Sequence, residues 1–415
     1  MQLQPSVGAD RQAKSSSSAP TGAPSPKTVG GRASTPGEAT TGVACERVMG
    51  RVRGQEAGPS LVVVAGIHGN EPAGVEAARR VLLRLAQGDI ALRGELVILG
   101  GNVAALRTGA RYLQRDLNRG WTDDDALRLQ TATPGSLQAE DREQAELLAA
   151  IEVVRSTARG AVHLADLHTS SAPGVPFVIF GDTLVQRRFV RVFPIPVIIG
   201  LVEHVDGVLS EFWSRRGLVT FSVEGGQHED PRSRDGLEAI LWLALSQAGM
   251  IATSTPPEVA AATRLLDQRR GDLPRVLDVV SRHSITAADA FVMEPGFRNV
   301  HRIPKGCLLA HDRRGEIRAS SAGVVVLPLY QKLGSDGFFW ALEVSDGQLR
   351  ISELLRRLPV DALVTLLPGV KRDAAQPRRL EVSTTTGRAK ILSLLRLLGY
   401  RREKTTGTTS TVERA

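Results

Sequence analysis

A chain of 415 residues exceeds what one hydrophobic core usually serves, so two folded domains with tails are expected. Its 42% hydrophobic content is that of a globular protein, no run supplies the ~18 uncharged apolar residues that cross a bilayer, and no apolar signal core opens the chain, so a cytoplasmic location without a membrane partner is expected. Lys and Arg outnumber Asp and Glu by 52 to 44, but with 4% aromatics the arginines at 313, 314, 378, 379, 401 and 402 read as solvated surface, which argues against a nucleic-acid partner.

Residues 1 to 42 are dominated by Ser, Gly, Ala, Pro and Thr, a composition that cannot bury enough apolar surface to order itself, and a disordered tail is expected there. From Leu61 the run Leu-Val-Val-Val-Ala-Gly is continuous and β-branched, as in a strand buried on both faces of a parallel sheet. A helix over 72–85 follows, with proline in its first turn and Val75, Ala78, Val81 and Leu82 at helical spacing. Residues 95–99 read as the next strand, 141–155 as an amphipathic helix, and 162–167 as a strand ending at His168. Further strands are expected at 176–180, 197–200 and 218–223, and a helix at 236–248. This alternation argues for an α/β layered domain over 43–255, with its site at the strand ends. Residues 256–345 read as a helix followed by a small β domain, with strands at 291–293, 308–310, 316–319, 323–327 and 338–342. Residues 346–415 read as an extension with short helices and a disordered end.

The chemistry-bearing residues fall where apolar strands stop. In Gly66-Ile67-His68-Gly69-Asn70-Glu71-Pro72, an imidazole and a carboxylate three residues apart can converge on one metal ion, although such a pair also occurs by chance. In Ala165-Asp166-Leu167-His168-Thr169 a second imidazole emerges at the same sheet edge, and Asp166 shares the side of the strand that His168 occupies. Cys45 and Cys307 lie too far apart to build a cysteine-rich site, so a metal must use His and carboxylates. Two His and one Glu are the protein ligands of many catalytic zinc sites, which leave a position for water. Val223-Glu224-Gly225-Gly226-Gln227-His228 supplies a carboxylate that is not needed as a ligand, and Glu224 suits a base beside such a water. His228 stays open as a further ligand, a hydrogen-bonding group or a structural loop histidine. The polar run Arg111-Tyr112-Leu113-Gln114-Arg115-Asp116-Leu117-Asn118-Arg119 offers guanidinium forks that suit a carboxylate, with surface ion pairing as the alternative.

Taken in order, G-x-H-G-N-E, R-Y-x-x-x-D-L-N-R, D-L-H-T and E-G-G-Q resemble the succinylglutamate desuccinylase and aspartoacylase family, within the zinc carboxypeptidase superfamily, over roughly residues 60 to 345. The resemblance implies a zinc-carboxypeptidase-like mixed sheet flanked by helices and followed by a small β-rich domain. It implies one Zn2+ held by His68, Glu71 and His168, with Glu224 as catalytic acid and base. Arg119 would face the polarised carbonyl oxygen, Arg111 and Asn118 would position a substrate carboxylate, and Tyr330 would reach the pocket from the β domain. A further substrate arginine of the aspartoacylase pattern is replaced here by Ser214, followed by Arg215 and Arg216. The expected activity is hydrolysis of an amide in a small acyl amino acid. A carboxypeptidase acting on a peptide or cell-wall fragment, and a non-enzymatic metal-containing or nucleic-acid-binding module, are the alternatives.

Overall fold

The computed structural model describes residues 42–252, 256–358, 361–373, 376, 379–383, 388–406 and 409–414. The tail expected over residues 1 to 42 lies outside them apart from Gly42. In chain order the first half runs β1 (Val48–Arg53), β2 (Glu56–Ala65), α1 (Ala73–Ala86), β3 (Arg93–Gly100), α2 (Val103–Thr108), α3 (Asp123–Thr131), α4 (Ala139–Thr157), β4 (Val162–Ser170), β5 (Phe177–Ile179), α5 (Leu184–Val190), β6 (Val197–Ile199), α6 (Leu209–Ser214), β7 (Val219–Gln227), α7 (Pro231–Gln247) and α8 (Pro257–Arg270). The second half runs β8 (Val276–Ser284), β9 (Val292–Met293), β10 (His301–Ile303), β11 (Leu308–Asp312), β12 (Gly315–Arg318), β13 (Gly323–Val326), β14 (Asp336–Glu343), α9 (Asp346–Leu355), α10 (Asp361–Val364), β15 (Val370–Arg372), β16 (Arg379–Ser383), α11 (Arg388–Leu397), β17 (Tyr400–Thr406) and β18 (Thr409–Arg414).

An 11-stranded mixed sheet in the order β1-β3-β2-β4-β7-β5-β6-β8-β14-β13-β10 organises the body. The continuous apolar run of β2 is explained by its position: Leu61, Val63 and Ala65 face one cluster with α1 and α7, whereas Val62, Val64 and Ile67 face another with α4 and α6. Strands β2, β3, β4 and β7 are parallel. From β2 the chain passes through α1 to β3 on one side, then returns to β4 on the other, so β2 and β4 flank a point where the strand order reverses. Open α/β sheets bind ligands outside the carboxyl ends of strands at such a point. His68 and His168 therefore meet because Ala65 pairs with Leu167 across that junction.

The strands expected for a small β domain divide between two sheets. β8, β14, β13 and β10 continue the main sheet with antiparallel pairing, and only β12-β11-β9 form a separate three-stranded sheet. The end expected to be disordered carries a four-stranded sheet, β15-β16-β18-β17, over a core that includes Leu380, Val382, Leu395 and Val412. Its strands turn only every second residue inward, so their Thr-, Arg- and Ser-rich outer faces hide the pattern in composition. The arginine-rich end also departs from the solvated surface expected: the Arg401 side chain is 12% exposed and bonds Glu211 of α6 at 2.7 Å.

Candidate active site

The turn after β2 brings His68 and Glu71 to the sheet edge, and its backbone admits no side chain at residue 69. A Cβ there would sit 2.2 Å from the carbonyl carbon of Ala105, while the Gly69 amide donates to the Arg111 carbonyl at 3.1 Å. Glu71 forms the centre of the site. One carboxylate oxygen lies 2.8 Å from His68 Nδ1, and the other lies 3.1 Å from His168 Nδ1 and accepts from the Thr169 amide at 3.0 Å. The donor atoms of His68, Glu71 and His168 all fall within 4.8 Å of one another, and all three residues are buried.

The outward nitrogens are held from behind. His68 Nε2 lies 3.0 Å from Asp116 and His168 Nε2 lies 2.9 Å from Asp166, which shares the strand face as an i, i+2 pair. Carboxylates in that position fix ring orientation and raise the basicity of the other nitrogen. Burial works against charge on His168, but Asp166 and Glu71 together hold its pKa well above the ordinary value. Burial likewise opposes ionisation of Glu71, and the two imidazoles overcome it, holding that carboxyl well below the usual range. Asp116 is also held down by His68, Arg111 and Arg119 against its burial.

Glu224 stands on β7 directly opposite His168 in the strand register. It is 8% exposed, and its Oε2 is buried without a hydrogen-bond partner. Burial, reinforced by the charge of Glu71 and opposed by His168, pushes its carboxyl up to about 8. Arg111 reaches into this group, with Nη1 3.3 Å from Glu71, and Nη2 3.0 Å from His68 Nε2 and 3.2 Å from Asp116. Arg119 turns elsewhere, donating to Asp336 of β14 at 3.0 Å and to the Asn118 carbonyl at 2.9 Å. Asn118 is buried, accepts from the Leu209 amide at 2.8 Å, and places its Nδ2 3.3 Å from His168 Nε2. Arg111, Asn118 and Arg119 all line one cavity with the His68, Glu71, His168 and Glu224 side chains.

Residues 57–212 match the family model described as the succinylglutamate desuccinylase/aspartoacylase catalytic domain. Over these residues the chain carries the succinylglutamate desuccinylase/aspartoacylase catalytic domain. The succinylglutamate desuccinylase of Photorhabdus laumondii is 46% identical over 74 residues, 18% of this chain and 23% of that protein. The matched stretch thus spans less than a quarter of that relative's length. The succinylglutamate desuccinylase of Pseudomonas fluorescens is 28% identical over 266 residues, 61% of this chain and 73% of that protein. A succinylglutamate desuccinylase/aspartoacylase from Rhodobacter sphaeroides superposes with a TM-score of 0.53 at 17% identity, covering 71% of this chain and 88% of that one. The product-bound ectoine utilization protein EutE (DoeB) from Ruegeria pomeroyi superposes at 0.51 and 20% identity, covering 71% and 87%. These two likenesses establish the fold, and the family is one of amide hydrolases. Among the described residues no helix is long and apolar enough to cross a membrane.

Against the family pattern, one expectation about the pocket meets different geometry, and one open role is narrowed. Tyr330 does not line the cavity: its hydroxyl donates to the Glu294 carbonyl at 2.7 Å and accepts from the Phe297 amide at 3.0 Å, so the ring is tied to the turn before β10. Its neighbour Gln331 lines the cavity instead and lies 3.3 Å from His228 Nε2. His228, whose Nδ1 lies 2.8 Å from the Thr169 hydroxyl, falls outside the His68, Glu71 and His168 cluster and takes the hydrogen-bonding role.

Four residues of the site were not assigned from sequence. Asp116 lies inside the R-Y-x-x-x-D-L-N-R motif, and its place between two arginines is the available signal. Glu140 is wholly buried at the start of α4 and accepts from the amides of Leu113, Gln114 and Arg115 at 2.6, 3.1 and 3.3 Å, which fixes the loop carrying Arg111 and Arg119. Gln331 and Asp336 come from far along the chain, and no local pattern marks them.

Proposed function

We propose that this chain is a zinc-dependent hydrolase that cleaves the amide bond of a small N-acyl amino acid. The observation that carries the reading is the meeting of His68, Glu71 and His168 within 4.8 Å beside a buried Glu224 that has an unpartnered oxygen. The residues present fit the ion: both Nδ1 atoms face the shared carboxylate, while both Nε2 atoms are engaged by Asp116 and Asp166. When bound there, zinc supplies a Lewis acid that polarises the acyl carbonyl and eases the ionisation of water.

Glu224 takes a proton from the attacking water as the water oxygen bonds to the acyl carbon. It holds that proton on its carboxyl and delivers it to the amine nitrogen as the carbon–nitrogen bond breaks, leaving a carboxylic acid and a free amine. Burial raises the affinity of the Glu224 carboxyl for a proton, which suits it to holding the one it takes, and a bound cation would draw the carboxyl back toward the ionised form that accepts it. Arg111 is the guanidinium that lies against Glu71 and His68, so we assign it the developing oxyanion. Arg119 and Asn118 then take the substrate carboxylate, which exchanges the two arginine roles implied by the resemblance. The carboxypeptidase reading is the weaker one, because Leu327, Leu329, Gln331 and Asp336 from the β13–β14 region line the same cavity as the His68, Glu71 and His168 cluster and leave less room for a longer peptide.

Release of free amine from a panel of N-acyl amino acids, followed while zinc is titrated into chelator-treated protein, tests the proposal. Activity is expected to saturate at about one zinc per chain, as three protein ligands imply. No amine release at saturating zinc across a broad panel rejects it.

A further inference from the structure

The part of the cavity beside Asn118 and Arg119 bears on which amine the enzyme releases. The segment between β6 and α6 is pinned to these two residues: the Leu209 amide donates to Asn118, and the Trp121 amide, two residues past Arg119, donates to the Gly207 carbonyl at 3.0 Å. Gly207 has φ of 68°, and a Cβ there would lie 2.3 Å from the Arg119 carbonyl oxygen, so the segment cannot retreat from this position without losing that contact. Its Leu201, Val205 and Val208 line the cavity, facing Ile179 of β5 and Phe339 of β14. These five residues belong to one apolar cluster. The polar groups at the lobe's margin are Ser222, two residues before Glu224 on β7, and Ser210, and the first donates its hydroxyl to the second at 3.0 Å.

No cation serves this lobe among the described residues. Of the arginines nearby, Arg111 lies against Glu71 and Asp116, Arg119 beside Asp336 is taken up by the substrate's α-carboxylate in the reading above, and Arg282 does not line the cavity but bonds Asp336 and the His204 carbonyl. At the position where the aspartoacylase pattern has an arginine, Ser214 accepts from Gln186 at 3.3 Å. Arg215 bonds Glu211 at 3.2 Å, Arg216 lies 3.5 Å over the Phe212 ring, and both line a different cleft. A second carboxylate placed here would be buried against aliphatic walls while Arg119 and Arg282 are turned to Asp336, which is unfavourable, whereas an aliphatic chain would gain by leaving water.

We infer that this lobe takes the side chain of the amine half, and that the substrate is the N-acyl derivative of an amino acid with an uncharged aliphatic side chain rather than of aspartate or glutamate. The inference rests on the deacylase reading and names its substrate class. Leu201, Val205, Val208 and Phe339 are the specificity-determining residues.

The test compares kcat/KM of the zinc-replete full chain for N-acetyl-leucine, N-acetyl-methionine, N-acetyl-aspartate, N-acetyl-glutamate and N-succinylglutamate. In parallel, calorimetry measures binding of free leucine and free aspartate to the same protein. The aliphatic derivatives are expected to exceed the acidic ones by at least about 100-fold, a difference of the size that a buried unpaired charge produces. Val208→Arg is expected to move the ratio toward the acidic derivatives by at least about tenfold. Acidic derivatives turned over as fast as aliphatic ones overturn the inference and leave the deacylase reading standing. If no derivative is hydrolysed, the deacylase reading is what fails, and the binding arm decides the lobe: leucine bound more tightly than aspartate upholds it, and equal or weaker binding overturns it.

Discussion

Two of the buried ionic clusters in this protein are built on opposite rules. In the first, the Asp182 carboxylate is gripped by Arg187, whose Nε and Nη2 donate at 2.6 and 2.9 Å, and by Arg356 from the segment after α9. Burial opposes the charge on Asp182, but the two guanidiniums overcome it and hold its pKa below the ordinary carboxylate value. In the second, Glu71, Asp116, Asp166 and Glu224 face two imidazoles and one buried-side arginine, and Asp166 Oδ1 and Glu224 Oε2 are buried without hydrogen-bond partners. In the first cluster both oxygens of the carboxylate are hydrogen-bonded, and Arg356 ties the C-terminal segment to the body. The second leaves buried carboxylate oxygens of Asp166 and Glu224 unpartnered, and buried groups left in that condition mark function rather than stability.

That contrast is broken most sharply at Glu224. Glu224→Gln keeps the shape and removes the proton acceptor, so turnover of the preferred N-acyl amino acid should fall on the order of 10³- to 10⁴-fold. The unfolding midpoint and zinc stoichiometry should stay unchanged. Steady-state kinetics on zinc-loaded protein decide it, and a variant retaining wild-type kcat removes Glu224 from the chemistry. Asp182→Asn should do the reverse. Asn tolerates the left-handed backbone at this position, φ 61°, but leaves two buried guanidiniums without their counter-charge. Urea unfolding should show a loss of roughly 3–5 kcal/mol, while kcat per folded molecule stays at the wild-type value.

Within the incomplete cluster the two arginines should separate. Arg111→Lys, losing the planar fork beside Glu71, is expected to lower kcat on the order of 10²-fold with little change in KM. Arg119→Lys should mainly raise KM, because the side chain holds the substrate carboxylate and is itself positioned by Asp336. The opposite split would restore the roles that the family resemblance implies.

How much of this was legible beforehand follows from how local each signal is. His68 and Glu71 sit three residues apart on one turn, and His168 and Glu224 each follow an apolar run, so the sequence displays them as motifs at the ends of strands. The body's parallel strands were visible for a related reason: a strand covered on both faces must be apolar throughout, as β2 is. β8 escaped, because Val-Leu-Asp-Val-Val-Ser-Arg-His-Ser mixes buried and exposed positions with a register shift against β14. Asp336 reaches Arg119 across 217 residues of chain, and Arg356 reaches Asp182 across 174, separations at which no pattern in a single sequence is available. The lobe beside Arg119 was hidden in the same way, since its walls come from β5, the segment after β6, and β14.

The smallest expected effect compares two histidines on one strand. His163 and His168 both lie on β4, but on opposite faces. His168 points to carboxylates that favour its charged form, whereas His163 packs against Phe189 with ring centroids 4.7 Å apart, and burial pushes its pKa down to about 4. The folded state therefore holds His163 neutral, while the unfolded chain protonates it near 6.5. Its contribution to stability is complete above pH 6.5 and is lost as the pH falls from there toward 4. At pH 5 the loss amounts to about 2 kcal/mol by linkage. His163→Leu should abolish that part of the acid sensitivity, so the difference in urea midpoint between variant and wild type should widen in the variant's favour between pH 7 and pH 5. Because any acid-driven change at the His68, Glu71 and His168 cluster would affect both proteins alike, the double difference isolates His163. An unchanged gap across that range would mean that the strand buries both imidazoles in equally polar surroundings, and the contrast between its two faces would fail.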